Sequence, residues 1–178
     1  ELQQYGEKLM VNKVGSIVAI EPSTGEILTM ISSPTYDPNL LVGRVKSKNY
    51  RKMLVDTLKP LYNRATMAKY PPGSTFKLVN ALIGQHEGVI NGTTLFSCSR
   101  GFHFGGLTVG CHPHASPVNL LFSITTSCNS YYCNTFKNIL QKYPKTQLGF
   151  TVWRNHVLSF GLGQKFPVDL PQESKGNV

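Results

Sequence analysis

The chain has 178 residues and a formal charge of +9, from 18 basic and 9 acidic side chains. Hydrophobic residues at 40% and charged residues at 15% exclude a disordered polyelectrolyte and provide for a single domain with a real core. No stretch approaches the ~18 apolar residues of a membrane-spanning helix, and an opening of Glu1-Leu2-Gln3-Gln4 is not a signal peptide.

Residues 14–20 and 26–32 read as strands, and Glu21-Pro22-Ser23-Thr24-Gly25 between them supplies turn chemistry, so a hairpin is expected. Residues 33–66 read as an irregular excursion with one short helix from Arg51 to Leu58, ended by Pro60. The densest basic run, Arg44 to Lys52, lies here. A basic excess favours anionic partners such as nucleic acid, acidic glycans or a phospholipid surface. The run itself reads as a solvated loop or helix face, and no nucleic-acid fold signature accompanies it, so nucleic acid is not expected as a partner. A helix is expected from Ser74 to about Glu87, with Gly88 as its stop. Residues 91–113 carry five glycines and read as a long loop or small ribbon. Ser116-Pro117 is expected to cap the next helix. A break near Ser127 precedes a helix over 130–142, stopped before Pro144. A last helix runs from about Leu148 to Phe160. His86, His103 and His156 read as packed or surface histidines, and Tyr131, Tyr132 and Trp153 as core.

The chemistry gathers at Tyr70-Pro71-Pro72-Gly73-Ser74-Thr75-Phe76-Lys77. On a helix, residues i and i+3 share a face, so Ser74 and Lys77 point the same way. A serine hydroxyl needs a base to become a nucleophile, and a desolvated lysine that has lost its proton can be one. Alone, Ser-x-x-Lys also describes a helix cap followed by a surface lysine. Ser127-Cys128-Asn129 downstream changes the balance, because Ser-x-x-Lys with Ser-x-Asn is the pairing of penicillin-binding proteins and class A β-lactamases. Asn63-Arg64-Ala65 with Tyr70 to Lys77, Pro22 to Leu28 and Ser33 to Asn39 together resemble the class B penicillin-binding proteins, in particular the elongation-type penicillin-binding protein 2 group.

That resemblance implies a peptidoglycan D,D-transpeptidase. Ser74 would attack the carbonyl between the terminal D-alanines of a stem peptide, with Lys77 as base. Ser127 would relay a proton to the leaving amine, and Asn129 would hold Lys77 and the substrate amide. β-Lactams would acylate Ser74. The resemblance further implies an inner-membrane anchor, a periplasmic catalytic domain, and wall-elongation membrane proteins as partners, a glycosyltransferase among them. The expected fold class is α+β, a partial transpeptidase domain over 1–178 with a short antiparallel sheet, several helices and an uncovered hairpin edge. Anchor, pedestal and C-terminal strands would lie outside it. The family's third motif, Lys-Thr-Gly or Lys-Ser-Gly, does not occur, since Lys145-Thr146 is followed by Gln147. Two other readings remain: a β-lactam-hydrolysing or sensing relative, and a non-catalytic metal-stabilised module of the wall-synthesis machinery.

The four cysteines, Cys98, Cys111, Cys128 and Cys133, allow disulfides in an oxidising compartment. Their clustering beside His112 and His114 allows a metal instead. Some enzymes of the penicillin-binding protein 2 group carry a metal beside the active site, at similar positions. The expectation is therefore a structural zinc held by Cys98, Cys111, Cys128 and one histidine, His114 in preference to the directly adjacent His112. A Cys98–Cys111 disulfide and unpaired buried thiols are the alternatives.

Overall fold

The chain opens with a helix that the sequence reading did not anticipate, α1 (Leu2–Leu9). The computed structural model describes residues 1–166 and 169–178. These fold as two compact units: Glu1–Lys69 with a short segment ending at Ser174, and Tyr70–Phe166 with Lys175–Val178.

In the first unit, β1 (Gly15–Ile20) and β2 (Ile27–Ser33) pair antiparallel with Ile17 opposite Ile31, as the alternation and the turn chemistry require. Glu21 organises the turn by accepting from the hydroxyl of Ser23 at 2.7 Å. Thr29, Ile31 and Ser33 form the buried face of β2. Helix α1 packs there because Gly6 has no side chain: a Cβ at that position would lie 2.2 Å from Cδ1 of Ile31. From the same helix, the Gln3 amide accepts from Met30 N at 3.0 Å and donates to Met30 O at 2.9 Å. The hairpin edge expected to be bare is thus partly covered, by a side chain that imitates a strand.

A 3-10 turn (Pro38–Leu41), capped by Asp37, leads to α2 (Lys46–Val55). The expected helix of this region begins five residues earlier than 51–58 and ends three earlier. Asn49, N-terminal to the expected span, anchors the added turn by donating to Leu40 O at 2.8 Å, and Met53 within that span is buried. Helix α3 is a single turn (Arg64–Met67) capped by Asn63. The buried guanidinium of Arg64 donates to the carbonyls of Leu58 (2.6 Å), Lys59 (3.1 Å) and Tyr62 (3.4 Å). A buried cation surrounded by carbonyls is hydrogen-bonded, which is the condition for burying it.

The second unit carries α4 (Phe76–His86), the ribbon β3 (Gly101–Phe104) and β4 (Leu107–Gly110), α5 (Leu120–Thr125), α6 (Asn129–Gln141) and α7 (Thr146–Ser159). The β3–β4 turn is Gly105-Gly106, both at positive φ (55° and 83°), the combination a two-residue hairpin needs. The helix expected to open at Ser74 begins two residues later. Residues Gly73–Thr75 form a 3-10 turn, and the Ser74 hydroxyl caps nothing. Ser116-Pro117 does not start α5 either. Val118 pairs with Phe96 (2.9 and 3.0 Å), which holds the chain extended, so Asn119 caps the helix, accepting from Phe122 N at 2.8 Å. Ser116 Oγ accepts instead from Cys98 N at 3.0 Å.

One core of this unit joins Ile83, Ile139 and Val157 with Phe76, Val79 and Trp153. The other joins Ala81, Ile90, Val118, Tyr131 and Tyr132 with Cys98 and Cys128. The indole N–H of Trp153 donates to Asn80 at 2.8 Å, so its polar edge is satisfied within the packing.

Candidate active site

Three segments of the second unit converge. The 3-10 turn presents Ser74, the first turn of α4 presents Lys77, and the junction of α5 and α6 presents Ser127 and Asn129. Ser127 sits at φ 49°, a left-handed conformation that costs a non-glycine residue about 1–2 kcal/mol. Its backbone is held on both sides. Ser127 N donates to Ile124 O at 3.1 Å, and Lys77 Nζ donates to Ser127 O at 2.7 Å. This kink turns the Ser127 hydroxyl back toward α4. There it accepts from Lys77 Nζ at 2.8 Å and donates to Ser74 Oγ at 3.0 Å. Lys77 also donates to Asn129 Oδ1 at 2.6 Å, and Asn129 Nδ2 donates to Gly110 O at 2.8 Å.

The result is an unbroken chain of polar atoms, Ser74 Oγ, Ser127 Oγ, Lys77 Nζ and Asn129 Oδ1. All three acceptors of Lys77 are uncharged. Burial lowers the pKa of its ammonium, a shift opposed by the thiols of Cys111, Cys128 and Cys133. A lysine with its pKa lowered, one hydroxyl away from a serine, can move a proton off that serine and back. A cleft of about 250 Å³ opens onto Ser74, Lys77, Ser127 and Tyr132, walled by Leu78 and Ile124. A larger one of about 440 Å³, also mainly apolar, lies against Phe76, Lys77, Phe136 and Trp153.

Beside this chain the side-chain ligand atoms of Cys98, Cys111, His114 and Cys128 lie within 4.8 Å of one another, and all four cysteines are free thiols. The Cys111 sulfur is 3.4 Å from His114 Nε2 and accepts from Asn129 N at 3.3 Å. Burial pushes Cys111 up, but the N–H groups of Asn129 and Ser130, with His114 and Cys98, outweigh it and bring the thiol down to about 6. Burial pushes Cys128 up to about 12. Three sulfurs and one imidazole converging on one point match the donors of a closed tetrahedral zinc site, and the residues fit such an ion. His112 lies outside the cluster, with Nε2 against Thr126 O. Cys133 faces the apolar cleft beside Lys77.

Sequence reasoning thus named residues that the fold brings together, but it missed three features. Gly110 enters through a backbone carbonyl, which no residue-type signal can reveal. The Tyr132 ring, expected only as core, lies 5.7 Å from Lys77 Nζ as well. The third is at the far end of α4. Glu87, buried there, accepts from Lys142 Nζ (2.9 Å), Tyr143 OH (2.7 Å) and His156 Nε2 (2.7 Å).

Residues 15–178 match the family described as penicillin binding protein transpeptidase domain. The peptidoglycan D,D-transpeptidase MrdA of Acinetobacter baumannii is 37% identical over 98% of this chain, which corresponds to 25% of that protein. A crystal structure of Pseudomonas aeruginosa PBP2 in complex with WCK 5153 is 31% identical with a TM-score of 0.85, over 99% of this chain and 39% of that one. The penicillin G acyl-enzyme complex of penicillin-binding protein A from M. tuberculosis aligns at 26% identity and a TM-score of 0.75, over 91% of this chain and 37% of that one. The chain spans about a quarter of the curated relative's length. With a matched span that contains Ser74, Lys77, Ser127 and Asn129 in one hydrogen-bonded row, the chain belongs to the penicillin-binding protein transpeptidase domain family.

Proposed function

We propose that the protein carrying this chain is a peptidoglycan D,D-transpeptidase of cell-wall elongation that works through a serine acyl-enzyme and is blocked by β-lactams. The observation that carries the reading is the row from Ser74 Oγ through Ser127 Oγ to Lys77 Nζ and Asn129 Oδ1. Lys77, deprotonated, takes the Ser74 proton directly or through Ser127. The Ser74 oxygen then forms a bond to the carbonyl carbon of the terminal D-Ala–D-Ala peptide, and the C–N bond breaks. The proton returns through Ser127 to the departing D-alanine amine. An amine of a second stem peptide displaces the ester by the reverse path. Splitting one acyl transfer into two steps is what the covalent intermediate achieves. Asn129, fixed by Gly110 O and Cys111 Sγ, positions Lys77.

Cys98, Cys111, His114 and Cys128 would hold a structural zinc. Bound there, the ion would supply a cross-link between the ribbon segment and the Ser127–Asn129 junction and leave no open position for substrate. The protein would be anchored in the inner membrane with this domain in the periplasm, alongside a glycosyltransferase partner.

Labelling with fluorescent penicillin tests the reading. The 178-residue chain has no Lys-Thr-Gly or Lys-Ser-Gly and should label weakly. In the family the strand bearing that motif lends an oxyanion-hole donor, and a single donor of that kind is worth ~3 kcal/mol. A longer chain that includes the motif should label fully at Ser74. Full-rate labelling of the short chain removes the role given to the third motif, and a long chain that never labels removes the enzyme reading.

A further inference from the structure

We propose that His86, Glu87 and His156 form a second metal site, for zinc or a neighbouring divalent transition ion, which staples the C-terminal end of α4 to α7. The ligand atoms of these three side chains lie within 4.8 Å of one another. Glu87 is buried at the C-cap of α4, immediately after His86, and His156 reaches it from the last turn of α7. The group shares no residue with the thiol cluster beside Ser127.

The hydrogen bonds of Glu87 divide its two oxygens. Oε2 accepts from Lys142 Nζ at 2.9 Å and from Tyr143 OH at 2.7 Å, while the partner of Oε1 is His156 Nε2, at 2.7 Å. His86 is surplus to that tie. Its ring stands edge-on to His156, with centroids 4.8 Å apart and planes at 70°. Among the described residues it takes part in no side-chain hydrogen bond or ion pair. An ion gives this second imidazole a partner and takes all three groups at once.

Two imidazoles and one carboxylate are a donor set of three-ligand zinc sites, whereas calcium and magnesium take oxygen ligands. The ion would replace the His156–Glu87 hydrogen bond. Tetrahedral ligands about 2.1 Å from zinc stand about 3.4 Å apart, so this pair would open by several tenths of an ångström and His86 would complete the set. The place suits a cation, because the last carbonyls of a helix give its C-terminus a partial negative charge. Lys142 and Tyr143 hold the far carboxylate oxygen and so orient the near one, as outer hydrogen bonds do around metal ligands. The Lys142 ammonium is neutralised by the carboxylate it binds, so the pair presents no net charge to the ion.

Metal titrations of the 178-residue chain test this. Cobalt on thiolates shows an intense near-ultraviolet charge-transfer band, so uptake at the thiol cluster is counted apart from uptake here. Zinc is expected to protect His86 and His156, and not His103, from diethyl pyrocarbonate, each modified histidine being identified by peptide mass spectrometry. This footprint needs no variant. His86→Ala, at an exposed position, should keep the far-ultraviolet circular dichroism spectrum and weaken cobalt binding outside the thiolate band by at least ~100-fold. His103→Ala should leave that binding unchanged. With saturating zinc the parent should melt several degrees above His86→Ala, and with chelator the two should melt alike. Cobalt uptake confined to the thiolate band, equal modification of His86, His103 and His156 in zinc, or cobalt binding by His86→Ala at the parent affinity would each overturn the proposal.

Discussion

The two ends of α4 treat an ionisable side chain in opposite ways. At the N-terminal end, Lys77 is held by two hydroxyl or amide oxygens and a carbonyl, all uncharged, and burial lowers its pKa. At the C-terminal end, Glu87 is held by Lys142, Tyr143 and His156. There burial would raise the carboxyl, but those hydrogen bonds outweigh it and bring it down to about 2. Both groups are fully hydrogen-bonded, so satisfaction alone does not separate them. Neutral acceptors position a cation without stabilising its charge as an anion would, and so leave a proton that can move. A cationic partner fixes the carboxylate in its charged form and makes it a structural tie between α4, the residues after α6, and α7.

Removing the proposed nucleophile should produce the largest effect. Ser74→Ala in the intact protein should abolish covalent penicillin labelling while leaving the thermal transition in place. Lys77→Arg keeps the charge but cannot give up a proton at useful pH, so the acylation rate should fall by at least ~1,000-fold. Acylation of Lys77→Arg at near the parent rate would remove the contrast between the two ends, since Lys77 would then be another structural cation.

Next in size is the thiol cluster that supports the N-terminal end. Protein purified without chelator should contain about one zinc per chain, and Cys111→Ser should abolish it and lower the melting temperature well beyond the effect of Cys133→Ser. Metal-free folded protein with Cys98 disulfide-bonded to Cys111 would refute the site.

The carboxylate at the other end makes a smaller contribution that depends on pH. Its folded pKa of about 2 lies below the reference 4.5, so the stabilisation is present above pH ~4.5 and is lost as pH falls toward 2. That drop is worth at most about 3 kcal/mol. Glu87→Gln should therefore destabilise the protein by about 1–3 kcal/mol at neutral pH in chemical denaturation. It should also flatten the acid limb of the stability profile, and a limb unchanged by the substitution would show that Glu87 carries no such coupling. Tyr143→Phe, which removes one of three donors to the same carboxylate, should cost only ~1 kcal/mol.

The hairpin, the helical character of 76–86, 129–141 and 146–159, and the residue types that the fold gathers at the candidate site were legible from the chain alone. Alternation, turn residues and helical periodicity act over a few positions, and Ser74-x-x-Lys77 lies within one turn. The helix starts were less legible. Ser74 and Ser116 both look like caps, yet the fold uses one hydroxyl in the polar row and the other as an acceptor for Cys98 N. Such assignments depend on partners that local propensity cannot see. What only the tertiary structure decided is the geometry between segments. It placed Ser127 in a left-handed conformation so that its hydroxyl reaches Ser74, and recruited Gly110 O for Asn129. It also buried Glu87 against donors from two other segments. Residue types determine which chemistry is available. Which groups lie at hydrogen-bond distance is set by packing between segments some fifty residues apart, and a one-dimensional pattern carries no measure of that.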